Sequence, residues 1–337
     1  MAPKNKLCET FDKILALARR ILGEQKHNES DFNHLSAHIA TLKEALSGPN
    51  SNELAAPLAP KLYDGRALLD LIILPTLSIL KFEARKMLVS LLILILHSRG
   101  PLSGPPLPEL GPSPLRTCLD RNPEILDTLL RSYVPPHSYT QSATQILKEF
   151  LRQEDVALLI LEKCHEEQFS RLFHAMDDTN FDVSSDASTV VKELFTRYRN
   201  HGSEYIQRNP DFIRWYETLL NSKNYSTRLF SLTLLGQLLF SREYYNVMIQ
   251  YVGSQDNLKL VMCLMKDNGH QMRIAAFNVF KIFVANPQKP EGILKILRRN
   301  RDKLMEFLSG LELDRDEQLK ADLQDVLAEL SQLGEIK

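Results

Sequence analysis

Glycine is scarce in this chain, 13 residues of 337, and tryptophan occurs once. Few positions are therefore free for the tight turns of an all-β fold, and β-branched and aromatic residues form no alternating runs. Cysteine is equally sparse. Cys8, Cys118, Cys164 and Cys263 stand far apart with no C-x-x-C pair, which argues against a disulfide framework or a zinc ribbon and fits reduced thiols in a cytosolic protein. Charge of either sign is not in excess: 41 basic and 42 acidic residues leave a net charge of -1, so there is no general electrostatic pull toward nucleic acid or an anionic membrane. The longest apolar run, Met87 to Leu96, is far short of the roughly 20 residues that span a bilayer, and MAPKNKLCETFDK lacks the apolar core of a secretory signal. The expectation is a cytoplasmic protein with no membrane insertion.

Catalytic and metal motifs are missing as well. The sequence has no glycine-rich phosphate loop, no H-E-x-x-H and no Cys/His set at ligand spacing. Cys164 with His165, and His174 with Asp177, can be drawn as pairs. Neither has a third group to orient the base or a strand-to-helix elbow to expose a nucleophile, so they read as ordinary helix residues. Asp314, Asp316 and Asp322 imitate a calcium loop, but no glycine stands at its sixth position and no glutamate closes it. No catalytic residue, metal or cofactor is expected.

Leucine-rich segments with helical periodicity are abundant. Leu7, Phe11, Ile14, Ala18 and Ile21 share one face of a first helix; a second runs from Asp31 to Leu46 and is broken by Gly48-Pro49-Asn50. Shorter apolar pieces from Leu54 to Leu80 are interrupted by Pro57, Pro60 and Pro75, and Phe82 to His97 is apolar enough to be buried on several sides. Gly100 to Pro114 is crowded with proline and glycine and reads as a surface insertion; its Pro105-x-x-Pro108 meets only the minimal SH3-ligand pattern. Beyond it a register can be counted. LKEF at Leu147, VKEL at Val191, LGQL at Leu235 and FKIF at Phe280 are separated by 44, 44 and 45 residues, the period of HEAT and armadillo repeats. The fold class predicted is an all-α, armadillo/HEAT-like helical-repeat solenoid shaped as a curved rod. It comprises one domain over residues 1–337, with the proline-rich insertion at 100–114 and a C-terminal capping helix at 316–333.

The unit is clearest at Asp256 to Pro287. Two helices meet at an Asp267-Asn268-Gly269 turn, Asp256 or Asn257 is expected to cap the first, and Asn286-Pro287 ends the second. In the second, Ile274, Phe277, Phe280 and Val284 form a buried face opposite Arg273, Asn278 and Lys281. The first is apolar nearly all round beyond Lys259 and Lys266, which suits a sandwiched helix or one that meets a partner. Asp177 to Asp186, Asn221 to Tyr225 and Ser241 to Tyr244 read as turns between helices. Around the unit gather Tyr225, Arg228, Arg242, Tyr244, Tyr245, Lys259 and Met262, residue types enriched at protein interfaces, which together suggest an apolar pocket rimmed by positive charge. The basic run Arg298, Arg299, Arg301 and Lys303 supports an alternative, a helical-repeat RNA-binding or transport adaptor. Its lack of interleaved aromatics favours a solvated helix face.

NYSTRLFSLTLLGQLLFSREYYNVMIQYV, DNLKLVMCLMKD and AAFNVFKIFVANPQKP, with FDVSSDASTVVKELFTR and LKEFLRQE before them, resemble the mouse-protein-25 scaffold family, also called calcium-binding protein 39 and, in fungi, Hym-A. The likeness is clear from Pro123 to Leu308 and weaker upstream. It implies a non-catalytic helical rod, monomeric when free. Such a rod binds sterile-twenty-like kinases on its concave face and takes a Trp-Glu-Phe-type tail of a pseudokinase adaptor in a C-terminal pocket. Matched motif by motif, the pocket includes Tyr225, Arg228, Leu229, Arg242, Tyr245, Lys259 and Met262, and Phe181 belongs to the kinase-facing surface. Where the family has two adjacent basic residues, this chain has Arg228-Leu229, which implies an altered tail specificity. The family's DEQF appears as Asp316-Glu317-Gln318-Leu319.

Overall fold

The computed structural model describes residues 2–24, 28–48, 50–73, 81–97, 112–163, 166–311 and 317–333. The described residues form twenty α-helices and one 3-10 turn, with no strand. They fall into two compact units, residues 1–198 and 199–337.

The first unit contains α1 (Ala2–Gly23), α2 (Glu29–Ala45), the short α3 (Ser51–Ala55), α4 (Leu58–Leu62) and α5 (Ala67–Ile73), then α6 (Phe82–His97), α7 (Pro114–Arg121), α8 (Glu124–Arg131), α9 (Thr140–Phe150), α10 (Glu154–Lys163), α11 (Glu166–Ala175) and α12 (Phe181–Arg197). Two rows of helices pack side by side. One row runs α2, α6, α9, α12, each against the next; the other runs α1, α5, α8, α11 and covers the first. The five apolar residues read from the sequence of α1 are all buried, and α6 is buried on several sides through Leu88, Leu91, Leu92, Ile95 and Leu96. Arg19 reaches the buried Asp70 at 3.1 Å and Arg20 pairs with the buried Asp31, so the polar edge of α1 is tied to α5 and α2.

The second unit contains α13 (Arg199–Arg208), α14 (Asp211–Leu220), α15 (Tyr225–Leu239), the 3-10 turn Arg242–Tyr244, α16 (Tyr245–Gly253), α17 (Gln255–Leu264), α18 (His270–Ala285), α19 (Glu291–Ser309) and α20 (Glu317–Gln332). Here α15, α18 and α20 form a row, with α14, α17 and α19 packed on it. Gly236 on α15 comes close to α18: a Cβ there would lie 3.7 Å from the Val279 side chain.

The counted register marks core positions. Leu147, Phe150, Val191, Leu194, Leu235, Leu238, Phe280 and Phe283 are all buried, on α9, α12, α15 and α18. Full burial of one such side chain is worth about 1.5–3 kcal/mol, so each repeat gains by stacking on its neighbour. Polar links recur on the same scale: Arg171 to Asp127, Tyr198 to the Arg152 carbonyl, Asn246 to Gln207 and Lys281 to Asp322 span 44, 46, 39 and 41 residues.

Several boundaries differ from the sequence reading. Asn180 caps α12 by accepting from the Asp182 N–H, so Phe181 to Asp186 is helix, not turn; Asn224 caps α15 likewise, and Tyr225 is helical. Neither Asp256 nor Asn257 caps α17. Ser254 does, accepting from the Asn257 N–H, while the buried Asn257 side chain donates to the Tyr251 carbonyl at 3.1 Å. Pro114 opens α7 behind its Ser113 cap, since proline at the first helical position forfeits no hydrogen bond. Residues 98–111, which hold most of the proline-rich insertion, lie outside the described residues, as do Cys164, His165 and Asp314. In α18 the burial is not one-sided. Of the expected face Phe277, Phe280 and Val284 are buried and Ile274 is half-buried; Met272, Ala276, Val279 and Phe283 are buried as well, and Arg273, Asn278 and Lys281 are half-buried because α15, α17 and α20 surround the helix.

Candidate partner-binding site

Tyr225 begins α15 directly after its asparagine cap, and an initial position leaves its ring 38% exposed. The ring lies against Gly269, the residue that opens α18: a Cβ on Gly269 would stand 2.6 Å from the tyrosine hydroxyl. The Arg228 guanidinium is 5.9 Å from the Tyr225 ring centroid. It donates to the Ser222 carbonyl at 2.7 Å and to Asp267 at 3.2 Å. Arg228 is thus a largely covered cation held inside the unit. It does not turn round to replace the basic residue absent at position 229.

Leu229 lines a groove between α15 and α18, with Leu232, Gly236 and Phe240 from one helix and Ile274 and Ala275 from the other. Thr233, Gln237, Gln271 and Asn278 complete the walls, and no charged side chain lines it. Phe240, at the end of α15, is 56% exposed, with the Lys281 ammonium 4.8 Å from its ring centroid. Lys281 pairs in turn with Asp322 on α20, and that hydrogen bond holds the Asp322 carboxyl below its ordinary value. The sequence reading missed Phe240. Its exposure comes from standing just past the end of α15, at the groove that α18 leaves open, a position periodicity alone does not reveal.

Of the remaining residues, Arg242 and Tyr245 are exposed at the 3-10 turn and at the first position of α16, whereas Tyr244 between them is buried and belongs to the core. Tyr245 is joined on the same face, four residues on, by the exposed Ile249, also unanticipated. On α17, Lys259 is exposed and paired with Asp256 at 2.8 Å, and Met262 is half-buried. The structure therefore brings Tyr225 and Arg228 into contact, sets Leu229 in the neighbouring groove, and carries the other four on α16, its preceding turn and α17. In the first unit Phe181 opens α12 and is 72% exposed.

The basic run at Arg298 lies on the continuous helix α19. Arg301 is held by Asp302 and by the Leu333 carbonyl at 3.1 Å, as a solvated helix face with a structural anchor would be. His174 bonds to the Ser170 carbonyl of its own helix. Cys8, Cys118 and Cys263 are free thiols. Among the described residues no group of three His, Cys, Asp or Glu side chains is placed to hold a metal, and no helix is long and apolar enough to cross a membrane.

A profile of the family described as Mo25-like matches residues 3–334, so the likeness extends through the N-terminal helices. The human protein called calcium-binding protein 39-like is 33% identical over 333 residues, covering 96% of this chain and 94% of that protein. MO25-like protein 2 of Caenorhabditis elegans is 36% identical over 332 residues, 97% of this chain and 88% of its own. The degreening-related gene dee76 protein of Auxenochlorella protothecoides is 35% identical over 305 residues, 89% and 91% of the two chains. With an all-α repeat architecture and full-length matches in animals and an alga, the chain belongs to the Mo25-like family.

Proposed function

We propose that this protein is a non-catalytic cytoplasmic scaffold, monomeric when free, that binds sterile-twenty-like kinases and a pseudokinase adaptor and raises the kinase's activity. Family membership supports the scaffold-type role itself. The observation that carries the finer reading is the set of exposed aromatic side chains at helix starts and ends, Phe181 in the first unit and Tyr225, Phe240 and Tyr245 in the second, where Phe240 lines an uncharged groove. Aromatic anchors of this kind dominate binding energy at protein interfaces.

Activation by such a surface needs no chemistry of its own. A surface that binds the active kinase conformation more tightly than the inactive one stabilises it by the difference in binding free energy. The packed rows of helices suit the task, because each repeat holds its contacts at a fixed distance from the next. For the tail pocket, the half-buried Met262 would supply an adaptable apolar surface, and Tyr225, Tyr245, Arg242 and Lys259 the aromatic and basic contacts. With Leu229 apolar and Arg228 already engaged by Asp267, the chain is expected to bind a tail with weaker dependence on its acidic residue.

Two peptides, one ending in Trp-Glu-Phe and one in Trp-Gln-Phe, test this by fluorescence anisotropy. Binding of both with similar affinity is expected. Absence of binding to either removes the pocket assignment, and strong preference for the glutamate form removes the proposed effect of Leu229.

A further inference from the structure

Two aspartates perform the same double task, each inside its own unit. In the first unit, Asp178 Oδ1 accepts from the Asn180 N–H at 2.7 Å, and its Oδ2 meets His137 Nε2 at 3.2 Å. In the second, Asp267 Oδ1 accepts from the Gly269 N–H at 2.8 Å, and its Oδ2 accepts from Arg228 Nη2 at 3.2 Å. Both stand two residues before the residue that opens a long helix, Asn180 for α12 and Gly269 for α18. The repeat between them has Ser222 at the corresponding place, 44 residues after Asp178 and 45 before Asp267. Its hydroxyl accepts from the Asn224 N–H at 2.9 Å; lacking a second side-chain oxygen, it offers its backbone carbonyl to Arg228.

One oxygen of each aspartate therefore shapes the turn into a helix, and the other grips the preceding repeat. His137 is held from that side alone: its Nδ1 is buried without a hydrogen-bond partner, and its φ of 57° is one that a residue other than glycine keeps only when its surroundings impose it. Next to these turns stand the exposed aromatics. Phe181 follows Asn180 directly, and the Tyr225 ring packs against Gly269 with the Arg228 guanidinium near its face.

We propose that Asp178 and Asp267 are positioning residues, clasps between consecutive repeats that hold Phe181 in the pose it presents to the kinase and Tyr225 in the pose it presents to the partner's Trp-Glu-Phe-type tail. The partner's identity rests on the functional reading above; the clasp itself does not. Asp267→Ser separates the two tasks, since Ser222 already shows that a serine at this place satisfies the turn N–H. In full-length protein carrying 3-fluorotyrosine, with Tyr225 assigned by Tyr225→Phe, Asp267→Ser should move the Tyr225 fluorine resonance toward that of a free tyrosine and leave Gly269 amide exchange unchanged. Affinity for a peptide ending in Trp-Glu-Phe should fall about tenfold, and in a Tyr225→Ala background the same substitution should cost nothing further. For Asp178→Ser the same pattern should appear in affinity for the kinase, with a loss of about tenfold that vanishes in a Phe181→Ala background. An unmoved fluorine resonance, or losses that add in the double variants, overturns the proposal. If Asp267→Ser does not fold, Arg228→Lys, which keeps the charge and loses the planar fork, gives the same fluorine readout. If the unaltered protein binds neither the peptide nor the kinase, the functional reading fails and the fluorine result alone decides the clasp.

Discussion

Arg228 stands one residue from the place where Leu229 replaces a basic side chain of the family, and one step along an α-helix turns a side chain by about 100°. That rotation takes Arg228 into the Ser222–Asp267 network and leaves Leu229 facing the groove. If the family pattern implied by the resemblance holds, this chain lacks a basic side chain at that place, and Arg228 does not compensate for it locally. Gly269→Ala gives a direct check on Tyr225. Its Cβ would collide with the far end of the tyrosine ring, which can swing into solvent, so affinity for the Trp-Glu-Phe peptide should fall several-fold with little change in melting temperature. Met262→Ala should weaken a Trp-Glu-Phe peptide about tenfold in anisotropy titrations; unchanged affinity would detach Met262 from the tail pocket. Asp322 offers a pH test. Its folded pKa lies below its unfolded one because Lys281 hydrogen-bonds the carboxylate, so its contribution is complete above the unfolded pKa and is lost as pH falls through the folded value. Asp322→Asn should therefore lower the melting temperature at neutral pH, and the difference from the unaltered protein should close in acid.

The helices differ in how strongly they depend on their neighbours. Phe280 is fully buried where α18 is enclosed by α15, α17 and α20, and Phe280→Ala should cost about 3–5 kcal/mol in urea unfolding. Asn224→Ala removes only a cap from α15 and should cost about 1 kcal/mol. A larger loss for the cap than for the core residue would contradict stacking as the source of stability. The same contrast explains what was legible in the sequence. The 44- and 45-residue register was readable because every repeat buries the same two positions, and burial writes itself into residue type. The Ser254 cap was not, because Ser254, Asp256 and Asn257 are all competent acceptors and only the path of the chain selects among them. The aspartate clasps escaped notice because an Asp-x-Asn or Asp-x-Gly turn predicts its own local hydrogen bond, whereas the partner of the second oxygen lies about 40 residues away in sequence. Phe181 and Tyr225 were foreseen as surface residues through family resemblance, while Phe240 and Ile249 carried no comparable signal and emerge only from packing.

At the scale of the whole molecule, the near-neutral charge and the rows of packed helices within each unit suit the proposed role of presenting surfaces to a partner. Its proposed output is a shift in another protein's conformational equilibrium, so its effect should saturate with binding and should not depend on any single group acting as acid, base or nucleophile. The most direct measurement is the initial rate of a purified sterile-twenty-like kinase from the same organism, titrated with the full-length protein until binding is complete. A kinase whose active conformation is a minor species should accelerate about tenfold or more and reach a plateau at saturation, with Phe181→Ala shifting the titration to higher concentration. An unchanged rate at every concentration, with no co-purification of the two proteins, would contradict the scaffold reading.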